Sequence, residues 1–335
     1  MQADAPEGIS PPVRRPRTGP SLLAPGAVRD PHRLYRVLRE THPLCYDALL
    51  GAWLVSRYAD VVTALTDPRF TGLPHDAAPR GGPAPLGLCH GGPRCATPRP
   101  PGPATPPHPA TARTERTAYV LARRIAGRQQ ADLVEEFCRW LPVGAITGAG
   151  ATPSAGATAG AGVHRYPDPP DHSPCTRHTA LRTIALASFL ANLLDAPDLL
   201  AALRTEPALA DRAWTESLRR DPPVQLVLRR TTHEVTLSGG TLPAGAYVAC
   251  LTGSAGRDPG RFAAPDLFDP FRTDQGHSLT GPASCPAVLL GRLEARHGPR
   301  ALLDAMPDLR WADGFRPART GLLTRGPRTL LVRPG

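Results

Sequence analysis

The chain of 335 residues contains no lysine: all 39 of its basic residues are arginine, and Asn192 is its only asparagine. With 29 acidic residues the formal net charge is +10, a balance that raises the question of a nucleic-acid partner. The missing lysine offers a second source for that charge. An arginine-, alanine-, glycine- and proline-heavy composition follows from a GC-rich genome as readily as from a binding face, and no nucleic-acid motif accompanies it. The run Arg14-Arg15-Pro16-Arg17 reads as a solvated tail. Long apolar runs are missing as well. The most apolar stretch, residues 180–194, is interrupted by Arg182 and falls short of the roughly 20 residues that a spanning helix needs, which argues against a membrane protein. The first 28 residues are proline-rich without an apolar core, so they do not form a signal peptide. Seven cysteines at 45, 89, 95, 138, 175, 250 and 285 are scattered and odd in number, which excludes a disulfide framework and points to a reducing, cytoplasmic setting. Cys89, His90, Cys95 and His108 fit none of the paired spacings of a zinc site.

What remains is a helical pattern broken by two low-complexity segments. Residues 1–28 read as a disordered Pro/Arg-rich tail, and residues 29–335 as a single domain. Within it, glycine and proline dominate about 72–113, and alanine, glycine, threonine and then proline dominate about 148–175. Apolar spacing predicts helices over 29–40, 58–66, 114–128, 131–140, 178–194, 198–204 and 209–220, with two more over 287–296 and 300–305, where Gly298-Pro299 separates them. Short strands are predicted within 44–57 and over 224–231, 234–237, 245–251, 309–311 and 330–332. The fold class is mainly α with small β-sheets.

Chemistry concentrates in the C-terminal half. Cys285 lies in Thr280-Gly281-Pro282-Ala283-Ser284-Cys285-Pro286, ahead of a helix carrying Arg292-Leu293-Glu294-Ala295. A cysteine on a Gly/Pro-rich loop at a helix N-terminus presents a thiolate to a metal, because backbone N–H groups and the helix dipole stabilise its charge. Upstream, Glu216 and Arg219 form Glu-x-x-Arg, the i, i+3 spacing at which the two side chains pair. Between them and the cysteine comes Arg257-Asp258-Pro259, followed by Arg261-Phe262, Pro265-Asp266 and Phe268-Asp269-Pro270.

That order of motifs resembles the cytochrome P450 family of haem-thiolate monooxygenases, in particular its soluble actinobacterial members. The resemblance extends to Asp30 through Arg39, similar to the family's first helix, and to Gly51 through Val62, similar to its first strand and second helix. It covers about 28–71, 116–147 and 179–333, and implies a shortened P450-like fold. It further implies haem b held by Cys285, and oxidation of a small apolar molecule by dioxygen with electrons from a ferredoxin and its reductase. Such a partner would dock on the cysteine-side face, where arginines steer an acidic surface. Gly281 matches a loop glycine, Glu216 and Arg219 match the family's structural ion pair, and Arg229 matches a strand arginine that contacts a haem propionate, with Arg230 the one-residue alternative. Thr179 is the nearest match to the alcohol that delivers protons to dioxygen, and Thr183 the next.

The departures are specific. Ala283 and Ala287 replace a basic residue and a glycine of the cysteine loop, the loop lacks its phenylalanine, and the first half of the central helix has no counterpart. The propionate-binding His-x-x-x-Arg of the third helix is also missing. These losses frame a second reading, a non-catalytic P450-like scaffold used for protein contacts.

Overall fold

A computed structural model describes residues 18–72, 109–147, 179–273, 279 and 286–335. Helix α1 (Pro31–Thr41) opens with Asp30 accepting from the His32 amide and with proline in its first turn, where a missing N–H costs nothing. It leads into the hairpin of β1 (Leu44–Asp47) and β2 (Ala52–Val55), then α2 (Tyr58–Thr66) and β3 (Phe70–Gly72). The helical body comprises α3 (Pro109–Ala126), α4 (Leu141–Thr147), α5 (Thr179–Leu194), α6 (Pro197–Ala202) and α7 (Leu209–Arg220). Between α3 and α4 lie a two-residue strand β4 (Ala131–Asp132) and a π-helical turn (Val134–Cys138).

Strands β5 (Val227–Thr231), β6 (Val235–Leu237), β7 (Gly240–Leu242) and β8 (Tyr247–Cys250) follow, then the short α8 (Thr252–Ala255) and the long α9 (Pro286–Ala305). Four short strands complete the described chain: β9 (Arg310–Trp311), β10 (Arg319–Thr320), β11 (Gly326–Pro327) and β12 (Leu331–Arg333). The largest sheet has the order β1-β2-β8-β5-β3, in which β2 and β8 run parallel and every other neighbouring pair is antiparallel.

The core divides by layer. Leu121, Ile125, Phe137, Leu186, Phe189 and Trp214 belong to one cluster that joins α3, α5, α7 and α9. Val55, Val227, Val248, Leu181 and Phe262 belong to a second, between the sheet and the start of α5. Tyr35, Leu38, Leu54 and Leu251 seat α1 on the other side of the sheet.

Three expectations need correction. Residues 131–140 are not one helix: Asp132 accepts from the Val134 and Leu330 amides, and the chain pairs with β12 before it turns. Tertiary pairing with a distant strand overrides local helical spacing there. Residues 18–28 do not form a disordered tail, because Leu22 is fully buried and its amide, with the Ser21 hydroxyl, donates to the buried carboxylate of Asp47. Finally, α9 runs on through Pro299. Proline there removes one helix hydrogen bond, but burial of Ala301, Leu302 and Leu303 holds the following turns in place. Gly298 beside it lets neighbouring side chains pack close to the helix, since a Cβ on it would lie 3.3 Å from Leu141 and 3.4 Å from Phe137.

Candidate functional site

Helix α7 is amphipathic, and Glu216 lies on its buried face at 2% exposure. Its carboxylate accepts from Arg219 Nε and Nη2, each at 2.7 Å, and from Arg272 Nε at 3.2 Å. The Asp269 amide donates to the same group at 3.0 Å. Arg219 spends its remaining N–H bonds on the carbonyls of Gly256, Pro265 at 2.9 Å and Leu267 at 3.0 Å. All five guanidinium donors are therefore used, the last three on the irregular segment 256–267, which has little secondary structure of its own. Phe262 lies beneath, its ring 5.1 Å from Arg219, 5.2 Å from Arg261 and 6.0 Å from Arg272. The Glu-x-x-Arg pair is thus present and bidentate. Arg272, its second cation, was not singled out from the sequence, since nothing in its spacing links it to α7.

The Arg257-Asp258 segment clamps two more elements. Arg257 pairs with Asp221 and Asp266, each at 2.8 Å, and donates to the Arg220 carbonyl. Asp258 accepts from the Tyr58 amide at 2.8 Å, satisfying an open donor at the start of α2 that no side chain of α2 itself caps. The arginines around Asp221 hold its carboxyl below the usual range despite its burial.

On β5 the side chains alternate, so that Val227, Arg229 and Thr231 point inward while Arg230 is exposed. Arg230 donates to the Gly245 carbonyl and stacks on Tyr247, an ordinary surface arginine. Arg229 differs: it is 5% exposed, its guanidinium donates to the Leu228 carbonyl at 3.1 Å, and it forms no ion pair with a carboxylate among the described residues. Burial pulls its pKa down. A buried cation of this kind calls for an anion. Val227, on the same face, shares a hydrophobic cluster with Leu181 in the first turn of α5 and with Leu279, six residues before Cys285. The start of α5, the inward face of β5 and the approach to the cysteine loop therefore converge.

Cys285 and Gly281 lie outside the described residues; α9 begins at Pro286, the next residue after the cysteine. The described cysteines cannot substitute as thiolates. Cys45, Cys138 and Cys250 are buried, and burial pushes their thiols up, to about 11 for Cys45 and about 12 for Cys250. Thr179 is the first residue of α5, and the Thr183 hydroxyl donates to the Thr179 carbonyl at 3.0 Å, the usual bond of a helix threonine to the previous turn. Among the described residues no group of three or more His, Cys, Asp or Glu side chains is arranged to hold a metal ion, and no helix is long and apolar enough to cross a membrane. The Cys89, His90, Cys95 and His108 group lies outside the described residues.

A sequence model of the family described as Cytochrome P450 matches residues 183–278, the stretch that carries Glu216, Arg219, Arg229 and Arg257. Over that stretch the chain is similar to the cytochrome P450 family. It is 40% identical over 171 residues to Protein DesVIII of Streptomyces venezuelae, a match covering 48% of this chain and 42% of that protein. It is 39% identical over 156 residues to Cytochrome P450 107B1 of Saccharopolyspora erythraea, covering 45% and 38%. The chain thus spans under half the length of these curated relatives. Among solved structures it is similar to CYP109E1 from Bacillus megaterium in complex with testosterone, with a TM-score of 0.69, 18% identity and coverage of 91% of this chain and 99% of that one. It is also similar to P450BioI in complex with an acyl carrier protein bearing hexadec-9Z-enoic acid, with a TM-score of 0.69, 20% identity and coverage of 92% and 99%. At such identities the likeness is one of fold.

Proposed function

We propose that the chain is a haem-thiolate monooxygenase that holds haem b through the thiolate of Cys285 and oxidises a small apolar organic molecule, with dioxygen and electrons from a ferredoxin and its reductase. Arg229 carries this reading: a buried guanidinium without a carboxylate, on the sheet face shared with Leu181 and Leu279, fits the carboxylate of a haem propionate. When bound, haem with a sulfur ligand supplies dioxygen activation, because electron donation from the thiolate favours O–O cleavage.

The residues of the chain bind and position. Cys285 ligates, Gly281 shapes its loop, and Arg229 neutralises a propionate. Glu216, Arg219 and Arg272 fix segment 256–272, through which the chain runs towards the cysteine loop. Thr179, at the head of α5, is the residue we assign to proton delivery. The reading also places the protein in the cytoplasm, where its thiols stay reduced.

A second reading, a haem-poor P450-like scaffold for protein contacts, draws on one observation: the family match ends at residue 278, seven residues short of Cys285. Expression with a haem precursor, followed by reduction under carbon monoxide, separates the two. A red-shifted, thiolate-type band that Cys285→Ala abolishes supports the enzyme. Absence of any Soret band supports the scaffold, and a band unchanged in Cys285→Ala shows that another group ligates.

A further inference from the structure

Arg182 interrupts the most apolar stretch of the sequence, and the structure gives it a fully buried partner. Its side chain is 4% exposed and that of Glu294, on α9, is 0% exposed. The contact is bidentate: Nε donates to both carboxylate oxygens, at 2.9 and 3.2 Å, and Nη2 donates to one of them and to the Pro142 carbonyl at 2.7 Å. One pair thus joins the first turn of α5, the start of α4 and the middle of α9.

Around Glu294, ahead of Pro299, the buried face of α9 is smooth. At the helical spacing of Glu294 stand Gly291, Ala295 and Gly298. A Cβ on Gly291 would lie 3.1 Å from Trp214, and one on Gly298 3.3 Å from Leu141, so the neighbouring helices approach almost to the α9 backbone. Such a stretch packs closely but has no large buried side chain of its own to resist sliding or rotation along the axis; the large buried side chains of α9, Leu302 and Leu303, come only after Pro299. Other polar contacts of α9 join Arg296 to Asp211, His297 to Glu115 at 3.9 Å and Tyr119 to Asp304, and each has at least one solvent-exposed partner. Pro299, just beyond Gly298, removes a helix hydrogen bond and separates the N-terminal half of α9 from its anchored end.

A buried ion pair adds little net stability over an apolar pair of the same volume, but it dictates one geometry, because either charge left alone in the core is costly. We infer that Arg182 and Glu294 are positioning residues: their bidentate pair pins the axial register of α9 on α5 and so fixes the start of the helix at Pro286, the residue that follows Cys285 in the sequence. The inference rests on the proposed function for what the register serves, but the pinning itself is a property of the chain without haem.

The test compares the full-length wild type with the double variant Arg182→Met/Glu294→Met, the charge swap Arg182→Glu/Glu294→Arg and the conservative Arg182→Lys. Two readouts apply: amide hydrogen exchange over residues 286–294, with residues 118–125 of α3 as internal reference, and the ferrous carbon monoxide spectrum of haem-loaded protein. The double variant is expected to keep the wild-type melting temperature within a few degrees, while exchange over 286–294 accelerates at least tenfold relative to α3. Its thiolate-type band is expected to give way to a blue-shifted, non-thiolate band. The charge swap and Arg182→Lys should restore part of the protection. Unchanged exchange over 286–294 overturns the inference, and so does an intact thiolate band in the haem-loaded double variant. A wild type that takes up no haem defeats the haem reading alone, and the exchange measurement then decides the pinning by itself.

Discussion

Glu216→Gln should be among the most damaging single substitutions in the described chain. The change keeps the side-chain shape but removes a negative charge that faces both Arg219 and Arg272, at 2.7 and 3.2 Å. The side chains of Arg219 and Arg272 are 9% and 4% exposed, so neither can turn to water without unpacking Phe262 or releasing the carbonyls of Pro265 and Leu267. Breaking a buried pair while leaving its partner charged costs about 3–5 kcal/mol. For a chain of 335 residues, about 1.4 °C of melting temperature is lost per kcal/mol, which gives a drop of roughly 4–7 °C. Thermal unfolding followed by circular dichroism at neutral pH measures it directly. Arg272→Met, which leaves the Arg219 pair intact, should cost less than Glu216→Gln. A loss for Glu216→Gln below about 1 kcal/mol, the range of an exposed pair, would refute the account of segment 256–272 as held by this carboxylate.

Three further outcomes follow from the same structure. Burial and the nearby Arg257 hold the His32 imidazole near a pKa of about 4, so the folded state keeps it neutral between pH 4 and 6.5 while the unfolded state protonates it. The unfolded state binds more protons in that window, so stability is lost as pH falls; between pH 7 and 5 His32 accounts for about 2 kcal/mol, read as the difference in urea unfolding between wild type and His32→Gln. Arg229→Met should leave apoprotein stability unchanged or slightly raised, because it removes a buried, unpaired cation, yet release bound haem faster in transfer to apomyoglobin; Arg230→Met should change neither. Pro299→Ala should stabilise the fold by as much as about 3 kcal/mol, measured by chemical denaturation, since α9 already runs through that position.

The legible part of the fold was the part governed by short-range pattern. Helix α2 begins and ends where apolar spacing and Asp67-Pro68 place it, and α7 runs over 209–220 as predicted. Two of the three failures have one cause. Asp132 commits its carboxylate to Leu330, 198 positions away, and Pro299 survives inside α9 because of what packs on the next turn. Neither partner is visible in a local window. The site divides in the same way: Glu216 and Arg219 are three residues apart and announce themselves, whereas Arg272 reaches them from 56 positions along the chain. Glu294 likewise lies 112 positions from Arg182. Two adjacent arginines on β5 could not be told apart until the alternation of the strand put Arg229 inside and Arg230 outside.

The absence of lysine acquires a structural meaning from the same residues. Arg182, Arg219, Arg229, Arg257, Arg272 and Arg325 are all at most 10% exposed at the side chain or residue level. Most of them work as forks. Arg219 holds a carboxylate and three carbonyls, and Arg325 donates to the carbonyls of Val28, Arg29 and Gly321. A lysine ammonium has three donors around one point and cannot span such separated acceptors, and it sheds its proton more readily when buried. Part of the formal charge of +10 is therefore internal wiring that fastens irregular segments to helices, rather than a surface field. That weakens the case for a nucleic-acid face built on composition. It also yields an expected outcome: replacing these buried arginines with lysine one at a time should destabilise the fold, most at Arg219, where three carbonyls and a bidentate carboxylate would compete for three donors. Equal tolerance of lysine at Arg219 and at the exposed Arg230, in parallel melting experiments, would return the charge to the surface and reopen the question of a polyanionic partner.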